Sequence, residues 1–209
     1  MPGIEPLVRR RTVRIKDDRL RPDSSKTRKK PKKVTLGYLE RAALHYLERY
    51  ASSAANLRRI LMRRVFKSAK AHDTDPEEGA VMVDTLIVRY QESGLLDDAN
   101  YSRMRAETMH RRGTSARMTR MKLASKGVAS DDIDSALEAL AETVQEPDLS
   151  AAVNYARRRR LGPWRQTKRE DNRDRDLASM GRQGFSYATA RKIVDAEDVD
   201  ALESPEHLD

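Results

Sequence analysis

LIVRYQESGLLDDANYSRMRAETMHRRGTSARMTRMKLASKGV, from Leu86 to Val128, is the stretch that decides the fold. Leu86, Ile87 and Tyr90, with Val83 before them, form one apolar stripe at three- and four-residue spacing, which is the period of a helix face. Gly94 ends that stripe. Asp97 or Asp98 then starts a helix that runs to about Arg112, Gly113 breaks it, and Thr114 or Ser115 begins the next. Lys126-Gly127 closes this helix with a cation on its negative end and a glycine beyond it. Strand alternation is absent throughout.

The same punctuation continues in both directions. Upstream, Thr35 is placed to cap a helix carrying Leu36, Leu39, Ala43, Leu47 and Tyr50, and Ser52 or Ser53 to cap one carrying Leu57, Ile60 and Leu61. Downstream, Ser130-Asp131-Asp132 opens a helix with acids in its first turn and Ile133, Leu137 and Leu140 on its apolar face. Pro147 and Gly162-Pro163 mark later breaks. The chain reads as all-α.

Three short pieces recur. LMRRVF (Leu61 to Phe66), LASKGV (Leu123 to Val128) and MGRQGF (Met180 to Phe185) each run from an apolar residue through a long polar one to Gly or Val and then to a core-sized apolar residue. Val128 is followed by Ile133 and Leu137, and Phe185 by Ala190 and Val194 at the same offsets, so the second and third copies lie 57 residues apart. In the first copy the matching position is Val83, which implies about 12 inserted residues around 68–80. A weak repeat of this kind predicts an elongated array of stacked helical units, each covering its neighbour's apolar face.

Charge divides the chain. Residues 1–33 hold 13 Lys+Arg and four acids, whereas 34–209 hold 29 of each sign; the stretch from Asp195 to Asp209 has seven acids and no base. Residues 1–33, rich in proline and poor in apolar residues, are expected to be a disordered basic arm, able to hold phosphates by counterion release or simply to keep the chain soluble. Residues 197–209 are expected to be a solvated acidic tail. Aromatics at 5% and charged residues at 36% argue against a thick single core. The absence of cysteine excludes disulfide frameworks, thiolate nucleophiles and thiolate metal sites. No apolar run approaches bilayer length, and no secretory h-region opens the sequence, so a cytoplasmic protein without a membrane partner is expected.

Catalytic constellations are missing from the pattern. His45, His72, His110 and His207 are scattered, no phosphate loop or dinucleotide fingerprint occurs, and neighbours such as Asp97 and Asp98 point about 100° apart on a helix. No enzyme, cofactor or metal is therefore expected. Basic clusters stand out instead: Arg58, Arg59, Arg63 and Arg64; the run from Arg103 and Arg105 through Arg111, Arg112, Arg117, Arg120, Lys122 and Lys126; and Arg157, Arg158, Arg159 and Arg160 followed by Arg165, Lys168 and Arg169. Each is readable as a solvated face. Three of them at corresponding edges of three repeats read as one surface for a polyanion, either nucleic acid or acidic protein. Trp164 is read as an anchor of the turn between units, with stacking on a base as the alternative.

From about Leu36 to Val194 the sequence resembles the RecX family of recombinase regulators. The resemblance is carried by ALHYLERYASSAANLRRILMRR (Ala43 to Arg64), LIVRYQESGLLDDANYS (Leu86 to Ser102), KLASKGV (Lys122 to Val128), YARRRRLGPWR (Tyr155 to Arg165) and DLASMGRQGFSYATARKIV (Asp176 to Val194), in the family's order. Val65 departs from it, standing where the family has Gly, and so do the 68–80 insertion and the long arm. The resemblance implies three tandem three-helix units, read here as 34–112 (a leading helix and the first unit), 113–165 and 166–196. It also implies a monomer that binds the RecA–single-stranded-DNA filament, with double-stranded DNA as a further partner, and restrains ATP hydrolysis and strand exchange. A general DNA-binding helical repeat is the alternative. The basic residues named above are the expected contacts. Gly94, Leu95, Leu96, Asp97, Asp98, Tyr101, Gly127, Gly184 and Phe185 are assigned to architecture: Gly94 to the helix end, Leu95 and Leu96 to the core, Asp97 to the cap.

Overall fold

The structure, a computed structural model, describes residues 30–203, and the arm up to residue 29 and the tail from residue 204 lie outside it. Ten helices follow one another: α1 (Leu36–Leu47), α2 (Ala54–His72), α3 (Pro76–Glu92), α4 (Asp98–Arg111), α5 (Ala116–Ser125), α6 (Ser130–Thr143), α7 (Pro147–Arg159), α8 (Arg173–Arg182), α9 (Tyr187–Val194) and α10 (Asp200–Glu203). Short 3-10 turns at Gly162–Trp164 and Glu170–Asn172 join α7 to α8. Among the described residues there is no strand.

The caps form where short polar side chains precede apolar stripes. Thr35, Ser53, Asp97, Ser115 and Ser186 each accept a backbone N–H from the first turn that follows them. Each such cap stabilises its helix by about 1 kcal/mol. Gly94, Gly127 and Gly184 follow the ends of α3, α5 and α8 with positive φ.

Three cores result. Leu39, Ala43, Leu57, Leu61, Val65, Val83, Leu86 and Tyr90 unite α1–α3, with Leu96 beneath them. Tyr101, Met109, Leu123, Val128 and Ile133 unite α4–α6. Leu149, Val153, Tyr155, Met180, Phe185 and Ile193 unite α7–α9, with Trp164 packed against them. The expected bounds divide the helices differently. Helix α4, placed at the end of 34–112, gives Tyr101 and Met109 to the second core; α7, placed within 113–165, gives its apolar face to the third. An apolar stripe records that a face is buried but not which neighbour buries it.

Other expectations change for local reasons. Leu95 was expected in the core but is 47% exposed, and only Leu96 turns inward. Phe66, matched to Val128 and Phe185, is 57% exposed, because α2 does not end there. Where glycine terminates α5 and α8, Val65 lets α2 run on to His72, and the inserted residues extend α2 and begin α3 around a turn at residues 73–75. Gly79 on α3 lies directly on Val65, where an added Cβ would come within 2.4 Å of a Val65 methyl. Leu202 on α10, inside the stretch expected to be a solvated tail, is buried in the third core.

Successive units meet at a repeated joint. Ser53 caps α2 while its hydroxyl donates to the Lys126 carbonyl at the end of α5 (2.6 Å), and the Ala54 N–H donates to Asp98 in the first turn of α4 (2.8 Å). One unit on, the Ser115 hydroxyl donates to the Gln183 carbonyl at the end of α8 (2.8 Å), and the Ala116 N–H donates to Asp148 in the first turn of α7 (2.7 Å). These contacts explain Gly127 and Gly184: a Cβ there would come within 2.5 Å of the Ala55 Cβ and 2.6 Å of the Ser115 hydroxyl. Asp98, in the first turn of its own helix, thus serves the N-terminus of another. Its burial raises its carboxyl pKa, and the Ala54 N–H acts in the opposite direction.

Candidate functional site

The basic residues expected at a binding surface fall into two groups. One is committed to the fold. Arg58 makes a two-point ion pair with Asp84 (2.6 and 3.0 Å), which holds the Asp84 carboxyl below its ordinary range. Arg64 is half-buried, donating to the Tyr38 hydroxyl at 3.0 Å and lying over its ring. Arg120 pairs with Asp134. Arg158 lies against the Tyr155 ring. Arg169 donates to the Val194, Ala196 and Glu197 carbonyls, so it caps the end of α9. Arg165 grips Asp176, only 1% exposed, which also accepts the Gly162 N–H at 3.0 Å. That ion pair fixes the turn carrying Trp164.

The second group projects into solvent: Arg59, Arg63, Arg111, Arg112, Arg117, Lys122, Lys126, Arg157, Arg159, Arg160 and Lys168. The structure brings Lys122 and Lys126 together. With Leu123 and Ser125 of the same stretch, and Tyr101, Arg105 and Met109 spaced four apart on α4, they line a groove of about 160 Å³. Arg59 reaches it from α2, donating to the Ser125 carbonyl at 3.2 Å. No carboxylate lines the groove, and none of these four cations forms an ion pair with another described residue. Burial raises the Tyr101 hydroxyl pKa, and the neighbouring Arg105 guanidinium counters this.

The groove therefore has an apolar floor and a cationic rim open to solvent. Unpaired cations over a low-dielectric floor attract anions more strongly than the same charges on a flat wet surface. Sequence reasoning placed Arg105 within a cluster but not beside Lys122. The four-residue spacing of Tyr101, Arg105 and Met109 carried that signal. Arg111, Arg112 and Arg157–Arg160 are not among the residues that line this groove. Among the described residues no group of three His, Asp or Glu side chains is placed to hold a metal ion, and no helix is long and apolar enough to cross a membrane.

Comparison with known proteins follows the same lines. The model of the RecX second three-helix domain matches residues 97–137, the span whose side chains fill the second core. The regulatory protein RecX of Myxococcus xanthus (strain DK1622) is 41% identical over 179 residues, covering 84% of this chain and 95% of that protein. The chain belongs to the RecX family. The regulatory protein RecX of Agrobacterium fabrum (strain C58 / ATCC 33970) is 28% identical over 175 residues, covering 81% of this chain and 91% of its own length. No solved structure gives a significant match. The α4–α5 groove thus lies within the part of this RecX chain that the family model recognises.

Proposed function

We propose that this RecX chain is a cytoplasmic, monomeric regulator that binds the RecA–single-stranded-DNA filament and restrains its ATP hydrolysis and strand exchange. The observation that carries the reading is the α4–α5 groove, in which Arg59, Arg105, Lys122 and Lys126 converge without a carboxylate. Such a site holds phosphates of the filament's DNA or acidic side chains of its subunits. The exposed arginines of α2, α4, α5 and α7 add weaker contacts whose effects combine through effective concentration along a polymer. The role is one of binding, with no chemical step of its own.

The test is RecA's DNA-dependent ATPase. Inhibition is expected well below one copy of this chain per recombinase subunit, and no effect at equimolar protein overturns the reading. The triple variant Arg105→Glu, Lys122→Glu, Lys126→Glu is expected to lose inhibition while keeping its helical circular dichroism. The other reading, a general DNA-binding module, is favoured by the 13 bases of residues 1–33. Removing that arm is expected to weaken bare-DNA binding far more than ATPase inhibition. Equal loss of both would move the interface to the arm.

A further inference from the structure

The third helices of the second and third units, α6 and α9, occupy the same place in the repeat and can be compared residue by residue at an offset of 57. Ile133, Ala136 and Leu137 on α6 correspond to the buried Ala190, Ile193 and Val194 on α9, so both helices turn the same face inward. Their outward faces are opposite in character. Ser130, Asp131, Asp134 and Ser135 on α6 are replaced by Tyr187, Ala188, Arg191 and Lys192 on α9. An acidic surface becomes an aromatic and basic one at identical positions.

Tyr187 is 67% exposed, the first residue of α9 after the Ser186 cap. Arg173 is fixed to Asp195 by two bonds of 2.7 Å, and Arg191 approaches the same carboxylate at 3.4 Å. The Tyr187 ring stands open to solvent at the start of the helix. Tyr187, Ala188, Arg191, Lys192, Asp195 and Ala196 line an open groove of about 500 Å³. The acids facing it are Asp195, already paired, and Glu146, which lies 3.9 Å from the Lys192 ammonium.

An exposed ring carried on a helix beside two cations is the combination that takes a nucleotide: the base stacks on the ring and its phosphates meet the charges. Bases in a duplex are already stacked and cannot use such a ring. An acidic peptide would need the cations but not the ring. We infer that the α9 face is a single-stranded nucleic-acid site, with Tyr187 as its stacking platform and Arg191 and Lys192 as its phosphate contacts. This deepens the proposed role by naming a DNA contact, and it rests on that reading only for its place in a filament.

The test uses the full chain and a single-stranded oligonucleotide carrying 2-aminopurine, without RecA. Binding is expected to change the probe's fluorescence. Tyr187→Ala is expected to weaken binding roughly tenfold and abolish the change, while Tyr187→Phe, which keeps the ring, retains both. Lys192→Gln is expected to lower the slope of log affinity on log salt by about 0.7. Thermal melts of the variants should match the parent, since the ring is exposed. The inference is overturned if the chain does not bind the oligonucleotide, if Tyr187→Ala binds as the parent does, if Tyr187→Phe loses as much as Tyr187→Ala, or if duplex binding falls equally. RecA inhibition is measured separately: its absence alongside these results would end the filament reading and leave the α9 site standing.

Discussion

The α4–α5 groove and its counterpart in the third unit share a scaffold and differ in what fills it. Asp98 and Asp148 accept equivalent N–H groups at the two joints, so α4 and α7 align at an offset of 50, as α5 and α8 do at 57. Arg105, Lys122 and Lys126 then correspond to Tyr155, Ser179 and Gln183. In the third unit the Tyr155 hydroxyl bonds Ser179 across the gap at 3.0 Å, and its ring lies 6.1 Å from that of Phe185. One backbone thus carries an open cationic cleft in one unit and a closed aromatic seam in the next. The joints are conserved as geometry, while the surfaces they bring together are free to differ.

Breaking the closed seam should cost most. Tyr155→Ala removes a buried ring and is expected to destabilise the chain by about 4 kcal/mol in urea melts. Gly113, with φ of 71°, has its missing Cβ 2.4 Å from the Tyr155 backbone nitrogen. Gly113→Ala combines a left-handed backbone cost with a clash against main chain, and is expected to lose about 3 kcal/mol. Its first-unit counterpart is Ala51, which is exposed, so Ala51→Gly should change little.

Equal losses at the two joints would sharpen the comparison. Ser53→Ala and Ser115→Ala each remove a cap and leave a carbonyl of the next unit without its donor, with about 2 kcal/mol expected for each. A difference above about 1 kcal/mol would show that the two joints are not equivalent.

The second joint should also respond to acid. His110 is buried, its Nε2 3.0 Å from the Pro147 carbonyl oxygen, and burial lowers its pKa against the opposing pull of that bond and of Asp148. The unfolded state then binds the proton more readily. Stability is therefore full above the ordinary histidine value of about 6.5 and falls as pH drops from there toward the lower folded pKa. Melting midpoints at pH 7.5 and 5.5 should show the drop, and His110→Gln should flatten it. The smallest structural effect is expected at the open groove. Arg105→Ala should lose under about 0.5 kcal/mol, because the residue is exposed, yet it should reduce the salt dependence of anion binding.

Much of the fold was legible along the chain. Thr35, Ser53, Asp97 and Ser115 announce helix starts, Gly94, Gly127 and Gly184 announce their ends, and the apolar periods name most of the buried residues. Val65 stands at the position where glycine ends α5 and α8, and the longer α2 is the result. Less of the site could be read. Arg58, Arg120 and Arg169 look like Lys122 and Lys126 in sequence, but Asp84, Asp134 and the carbonyls at and beyond the end of α9 satisfy them from 14 to 28 positions away. Leu95 and Leu96 read alike, yet only one is buried.

Local chemistry is what the sequence by itself determined: where helices begin and stop, which face of each is apolar, and that cations outnumber acids over the middle helices α2 and α5. Those properties depend on neighbours within a turn or two, and a short window contains them. Tertiary structure alone decided which helices share a core, which arginines are spent on internal carboxylates and carbonyls, and that α4 and α5 set three cations around one cleft that Arg59 reaches from α2. Each of these is a relation between side chains many turns apart, and burial and hydrogen bonding take their values only when both partners are in place.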